Sequence, residues 1–351
     1  STIFYVVDNE TFVGYRPNSL GNANLTWETT TSTNIGLDYA FANDRISGTL
    51  DAYIANTQDV LVERSLPRIS GFEDILENIG EVENKGIELG LQTVNIDNGG
   101  FRWVMNTNFS LNRNKLVKLY GGEEDFDIGN GWFTGEPINV HYDWNNLGVV
   151  WTEEEFFNGE VPNGFFPGFF KVEDIATTEG NPQFHPDDDR KIVGTPDPNY
   201  RISLLNNFSY KNFNLMVFIN SIQGGNGYYT ANGTGDVVAG GTDFARRNNR
   251  TAVRPYWRPG APTTNAPGMF WPQRDNGGLY IDRSFVRIQD VTLSYNLPQI
   301  TLENIGLSEL QLYVSGKNLV TWTDWAGWDP EVGGDNTPVM RSFILGIRTS
   351  F

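Results

Sequence analysis

The chain has no cysteine, only two histidines, and no run of about 18 apolar residues in its 351. Each shortage removes a class of protein. Without thiols there is no disulfide framework and no thiolate metal site. His141 and His185 stand outside any H-E-x-x-H spacing, so zinc is not expected. Neither belongs to a nucleophile motif, and Ser-His-Asp chemistry needs an oriented histidine. No transmembrane helix can be drawn, and no leader is visible at Ser1. Basic residues are few beside acidic ones, 25 Lys and Arg against 43 Asp and Glu, for a net charge of −18. Phosphate contacts need a basic surface, so nucleic acid is disfavoured. Gly224-Gly225-Asn226-Gly227 lacks the Lys-Ser/Thr of a phosphate loop and reads as a flexible loop exit.

What the chain has in quantity is glycine, 38 residues, and aromatic rings, 13% of the total. Many segments alternate strictly. Ile35, Leu37, Tyr39 and Phe41 are interleaved with Asn34, Gly36, Asp38 and Ala40. Near the end, Phe343, Leu345, Ile347 and Phe351 share one parity. A strand points successive side chains to opposite faces, so each segment has an apolar and a polar face. Strands are expected near 26–41, 45–57, 84–95, 101–118, 199–210, 213–222, 282–296, 308–322 and 341–351. This pattern suits a soluble sandwich and a membrane barrel equally. The connections separate the two. Short ones at 42–44, 97–100, 211–212 and 297–307 alternate with long ones at 58–83, 119–198, 223–281 and 323–340. Barrels of the outer membrane have short periplasmic turns and long outer loops. The expected fold is therefore an all-β transmembrane antiparallel barrel.

Several segments also carry a resemblance. They are Asn24-Leu25-Thr26-Trp27-Glu28-Thr29-Thr30, Asn78-Ile79-Gly80-Glu81-Val82-Glu83-Asn84-Lys85-Gly86, Val193-Gly194-Thr195-Pro196-Asp197-Pro198, Phe285-Val286-Arg287-Ile288-Gln289-Asp290, and Gly316-Lys317-Asn318-Leu319 with Gly327-Trp328-Asp329-Pro330-Glu331 beyond it. In this order the chain resembles the SusC/RagA-type TonB-dependent outer-membrane transporters of Bacteroidetes. The resemblance implies a plugged barrel of about 22 strands, of which residues 1–351 would be the C-terminal part. It implies import of oligosaccharides under a SusD-like surface lipoprotein lid. TonB-ExbB-ExbD would energise import through a plug outside this chain. Nine strands cannot close such a lumen, because an open edge in lipid leaves backbone groups unpaired. The chain is then a fragment, the visible part of a longer polypeptide, or one piece paired with the remainder of the barrel. No catalysis is expected. Import of peptides, and a soluble or secreted carbohydrate-binding β-protein, are the alternatives.

Candidate binding residues follow from the long loops, extracellular on this reading. Trp132, Tyr142, Trp144, Trp151, Tyr228, Tyr229, Trp257, Trp271, Trp325 and Trp328 are flat rings near Asp and Asn, suited to sugar stacking. Phe165, Phe166, Phe169 and Phe170 form a run too apolar to leave in water, and the lid would cover it. Members of the family often carry an Asp-x-Asn-Gly-Asp-Gly loop resembling a calcium site. Here that core is absent, and no cofactor is expected. Asp174, Glu179, Asp187, Asp188 and Asp189 remain as the weaker calcium candidates in what reads as a solvated acidic loop.

Overall fold

The computed structural model describes residues 2–7, 10–15, 20–66, 68–72, 74–120, 126–175, 188–228, 257–260, 280–303, 307–325, 329–333 and 339–350. Nine strands build its principal sheet: β1 (Thr29–Phe41), β2 (Ile46–Ser65), β3 (Asp74–Asn98), β4 (Phe101–Lys118), β5 (Tyr200–Tyr210), β6 (Phe213–Gln223), β7 (Phe285–Asn296), β8 (Glu309–Thr323) and β9 (Ser342–Ser350). They lie side by side in chain order from β1 to β9. Every strand pairs with its neighbour in sequence, as local turns favour. Phe351 lies outside the described residues.

The turns explain the order. At Ala42, Asn43 and Asp44 the backbone is left-handed, with φ of 58, 56 and 61°. Arg45 staples this turn by donating from Nε and Nη2 to the Val94 carbonyl at 3.1 and 3.0 Å, and from Nη2 to the Asn95 carbonyl at 3.1 Å. Gly99 and Gly100 supply positive φ between β3 and β4. Lys211, at φ 52°, turns β5 into β6, which then pair from Tyr210↔Phe213 to Tyr200↔Gln223.

The apolar parity is the exposed one. Leu345 is 86% exposed, and on interior strands Leu293 and Val314 are 43% and 46% exposed. A soluble sandwich buries this face; a lipid-facing wall leaves it open. Its rings pack on each other along the sheet: Trp103 on Phe208 at 5.5 Å, Phe213 on Tyr295 at 4.7 Å. Asn206 intrudes on this face, and the Trp103 indole N–H donates to its Oδ1 at 3.1 Å. On β7 the parity changes. Ile288 pairs with Ile219 and Val291 with Val217, so both keep to the apolar face across a register shift at Gln289. The extra residue of a β-bulge makes this possible.

The structure corrects one expected connection. Residues 58–65 and 74–83 are strand, not loop; β2 and β3 run on and are joined through 66–73. The halves of β2 and β3 next to this join have a core of their own. Val62 and Val82 bury against Leu116 and Leu119, with Val60, Ile79, Trp132 and Ile138 packed around them. The chain forms two compact units. One comprises Ser1–Ile35, Ala52–Gly86 and Asn112–Ile138, and holds this core. The other comprises Gly36–Asp51, Ile87–Leu111 and Asn139–Phe351.

Candidate functional site

In the second unit described segments of two long connections are tied together. The ribbon His141–Trp144 pairs with Arg190–Gly194, and Asn226–Tyr228 pairs with Tyr280–Asp282. The two ribbons meet at Asn226. Its N–H donates to the Thr195 carbonyl at 2.8 Å, and its Nδ2 to the Val193 carbonyl at 3.2 Å. A Cβ at Gly194 would run into the Asn226 amide, and one at Gly225 would meet the Pro196 carbonyl at 2.7 Å. Both glycines have positive φ. The segment Gly224-Gly225-Asn226-Gly227 is thus a tight crossing, not the expected flexible exit. His141 lies in the same knot, with Nε2 3.2 Å from the Asn226 carbonyl and its ring stacked on Tyr280 at 4.6 Å. The Tyr280 hydroxyl donates to Asp143 at 2.9 Å.

A buried ion pair holds the segment Asp329–Gly333, beyond β8, to β7. Arg287, 1% exposed, donates from Nη2 to both Asp329 oxygens at 2.9 and 2.8 Å, from Nη1 to Glu331 at 2.7 Å, and from Nε to the Thr321 hydroxyl at 2.9 Å. Arg283 donates to the Pro330 and Glu331 carbonyls at 2.8 and 2.7 Å. Two of the segments that carry the family resemblance are therefore halves of one contact. Reading the sequence missed Arg283 and Arg287 as site residues; their signal was presence in or beside those segments.

The candidate aromatics are placed as follows. Trp132 packs on the core of the first unit. Trp144 is buried, with the Arg190 guanidinium 5.4 Å above its ring. Trp151 carries the Lys171 ammonium at 4.6 Å, and Trp325, also buried, carries Arg283 at 6.0 Å. Trp257 packs on Val150 and Phe170, over a Gly168 whose Cβ would meet its ring. Tyr142 is half-buried in its ribbon opposite Ile192. Tyr228 pairs with Tyr280 through the backbone. Tyr229, Trp271 and Trp328 lie outside the described residues. The structure thus sets the five described candidate indoles, Trp132, Trp144, Trp151, Trp257 and Trp325, in packed surroundings, three of them faced by a cation.

Of the phenylalanine run, Phe165 and Phe170 are buried, Phe169 is half-buried, and Phe166 is exposed. Phe166 meets Phe156 at 6.2 Å, and Phe156 meets the exposed Phe157 at 5.8 Å. Phe156 and Phe157 end a one-turn helix, Glu153–Phe157, opened by a Thr152–Glu155 capping box. Burial would raise the Glu155 carboxyl, but the Lys171 ammonium and the Thr152 N–H and O–H outweigh it and hold the group below its ordinary range. Glu173 is likewise lowered, first by its bond from Lys191.

Of the acidic candidates, Asp174 and Asp188 are exposed, and Asp189 is buried, accepting the Ile175 N–H at 2.8 Å. Glu179 and Asp187 lie outside the described residues. Among the described residues no three carboxylates or histidines converge as a metal set.

Comparison with known proteins gives the frame. The sequence model described as "TonB dependent receptor-like, beta-barrel" matches residues 7–319. TonB-dependent receptor P3 of Formosa agariphila is 32% identical over the whole chain, which covers 37% of that protein. TonB-dependent receptor SusC of Bacteroides thetaiotaomicron is 25% identical over 99% of the chain, which covers 35% of that protein. The solved RagAB peptide importer in its open-open state superposes on all of the chain with a TM-score of 0.76 at 23% identity, over 37% of that chain. The chain spans a little over a third of these relatives' length. Strand order, outward apolar face and matched length agree, and the chain belongs to the TonB dependent receptor-like β-barrel family.

Proposed function

We propose that residues 1–351 are the C-terminal strands of an outer-membrane importer of oligosaccharides. The observation that carries this reading is the sheet itself: an open apolar face, a polar face behind it, and three long connections at one end of the strands. On this reading the apolar face meets lipid, and the long connections face outward. The remainder of the barrel joins the free edges of β1 and β9. A plug preceding this chain would couple to TonB-ExbB-ExbD. A SusD-like lipoprotein would close over the mouth, with the exposed rings of Phe156, Phe157 and Phe166 as its contact. Ligand is captured and moved, and no bond is made or broken.

A second reading, import of peptides, has one specific observation in its favour. Trp144 and Trp325 are buried and Trp151 already carries a cation on one face, which leaves these rings little surface for a stacked sugar. The test is uptake by cells carrying the full-length protein and its neighbouring lipoprotein, against cells lacking the importer. Loss of labelled oligosaccharide uptake supports the first reading. Loss of peptide uptake alone establishes the second, and loss of neither overturns both.

A further inference from the structure

The polar face of the sheet mostly satisfies itself. Thr292 donates to Asp290 at 3.0 Å, Ser209 to Asn214 at 2.9 Å, and Gln311 to Asn296 at 2.8 Å. In one trough on this face several polar side chains, Thr49, Glu88 and Arg201 exposed among them, make no such bonds. The trough has a volume of about 460 Å³ and crosses β2 to β6. Ser203 pairs on one side with Asn108 and on the other with Asn220, and Arg201 pairs with Ser110. Gly90 forms the floor beyond Asn108; a Cβ there would meet the Thr49 hydroxyl at 3.1 Å. Glu88 and Arg201 stand two strands apart, about 10 Å by strand spacing. Neither bonds to any other described side chain, and the same holds for Thr49, Asn108, Ser110 and Ser203.

The place of the trough matters. Arg201 is the second residue of β5, just after the 119–199 connection, and Asn220 is close to the end where β6 enters the 224–284 connection. The trough therefore opens beneath the long loops. Its chemistry is a guanidinium at one end, the carboxylates of Glu88 and Asp51 toward the other, and amides and hydroxyls between, with small residues leaving space. Each vicinal hydroxyl of a sugar both donates and accepts, and closely spaced planar donors and acceptors match such pairs. Leu89, Phe109 and Ile202 also border the trough, but strand alternation directs their side chains to the apolar face, and the side chains that face into it are polar or small.

We infer that this trough is a binding subsite for a polyhydroxylated ligand, with Glu88 and Arg201 as its end contacts and Asn108 and Ser203 on its floor. The inference rests on the oligosaccharide reading above. The experiment uses the full-length importer with its lipoprotein, purified in detergent, and a labelled oligosaccharide that wild-type cells take up. The Glu88→Gln/Arg201→Gln double variant should raise the Kd at least about tenfold, since hydrogen bonds to charged groups are the stronger ones. Its heat-modifiable mobility on gels should be unchanged. In a second variant, Ser203→Cys, maleimide should label the new thiol, above the wild-type background, and the oligosaccharide should protect it. Equal Kd values for the double variant and wild type overturn the inference. So does a Ser203→Cys thiol that resists label without ligand, since another part of the polypeptide then fills the trough. A wild type that takes up and binds peptides and no oligosaccharide refutes the functional reading instead.

Discussion

Replacing Arg287 by alanine should release the segment Asp329–Gly333 while leaving the sheet intact. Arg287 is 1% exposed, and the Asp329 side chain 8%. Removing one partner of a buried ion pair strands the other, at a cost of about 3–5 kcal/mol. That is roughly 10²- to 10⁴-fold in the local opening constant. Asp329 also organises its own turn, accepting the Glu331 N–H at 2.9 Å on Oδ1 and the Gly333 N–H at 3.1 Å on its carbonyl. Hydrogen exchange of those two amides, read by mass spectrometry on the detergent-solubilised protein, reports the opening. Glu331 provides the internal contrast. Its side chain is 41% exposed, so its charge is screened, and Glu331→Ala should cost under about 1 kcal/mol. Arg287→Met combined with Asp329→Leu should recover much of the loss, because no charge is then left buried. If Arg287→Ala speeds exchange less than about threefold, or no more than Glu331→Ala does, the clamp does not hold the connection.

Three further outcomes are expected. Trp103→Phe leaves Asn206 without its donor on the apolar face and should destabilise the sheet by about 1–2 kcal/mol, read as a lower temperature for loss of heat-modifiable mobility; Asn206→Leu in the same background should restore it. Gly168→Ala places a Cβ against Trp257 at a φ of +85° and should undock that ring, read as a red shift in indole emission that Trp257→Phe abolishes. Acid should loosen the helix Glu153–Phe157. The lowered Glu155 carboxyl contributes stability above its ordinary value of 4.5, and loses it as pH falls through the lower folded value. Emission from Trp151, under Lys171, should therefore hold from pH 7 to 5 and change below that, and Glu155→Gln should remove the transition.

The sequence by itself determined the nine strands of the principal sheet and which parity is apolar. Both depend on a period of two and on turns such as Ala42-Asn43-Asp44 and Gly99-Gly100, which act between neighbours in the chain. It also determined the family, through short segments spaced from Asn24 to Glu331. Other features were decided only by tertiary contacts. Residues 58–65 of β2 and 74–83 of β3 looked like loop because Val60, Val62 and Val82 gain their partner surface from Leu116 and Leu119 on and after another strand. The bulge at Gln289 is legible only from its partners, since a register shift is a property of a pair. The roles of the indoles turned on Arg190, Lys171 and Arg283, which reach them from other segments. The trough could not be read at all, because Glu88, Asn108 and Arg201 are ordinary polar positions until the strands set them side by side. Pairing and periodicity are local and are written in the chain; which faces and side chains meet depends on how distant strands are registered, and only the folded structure settles that.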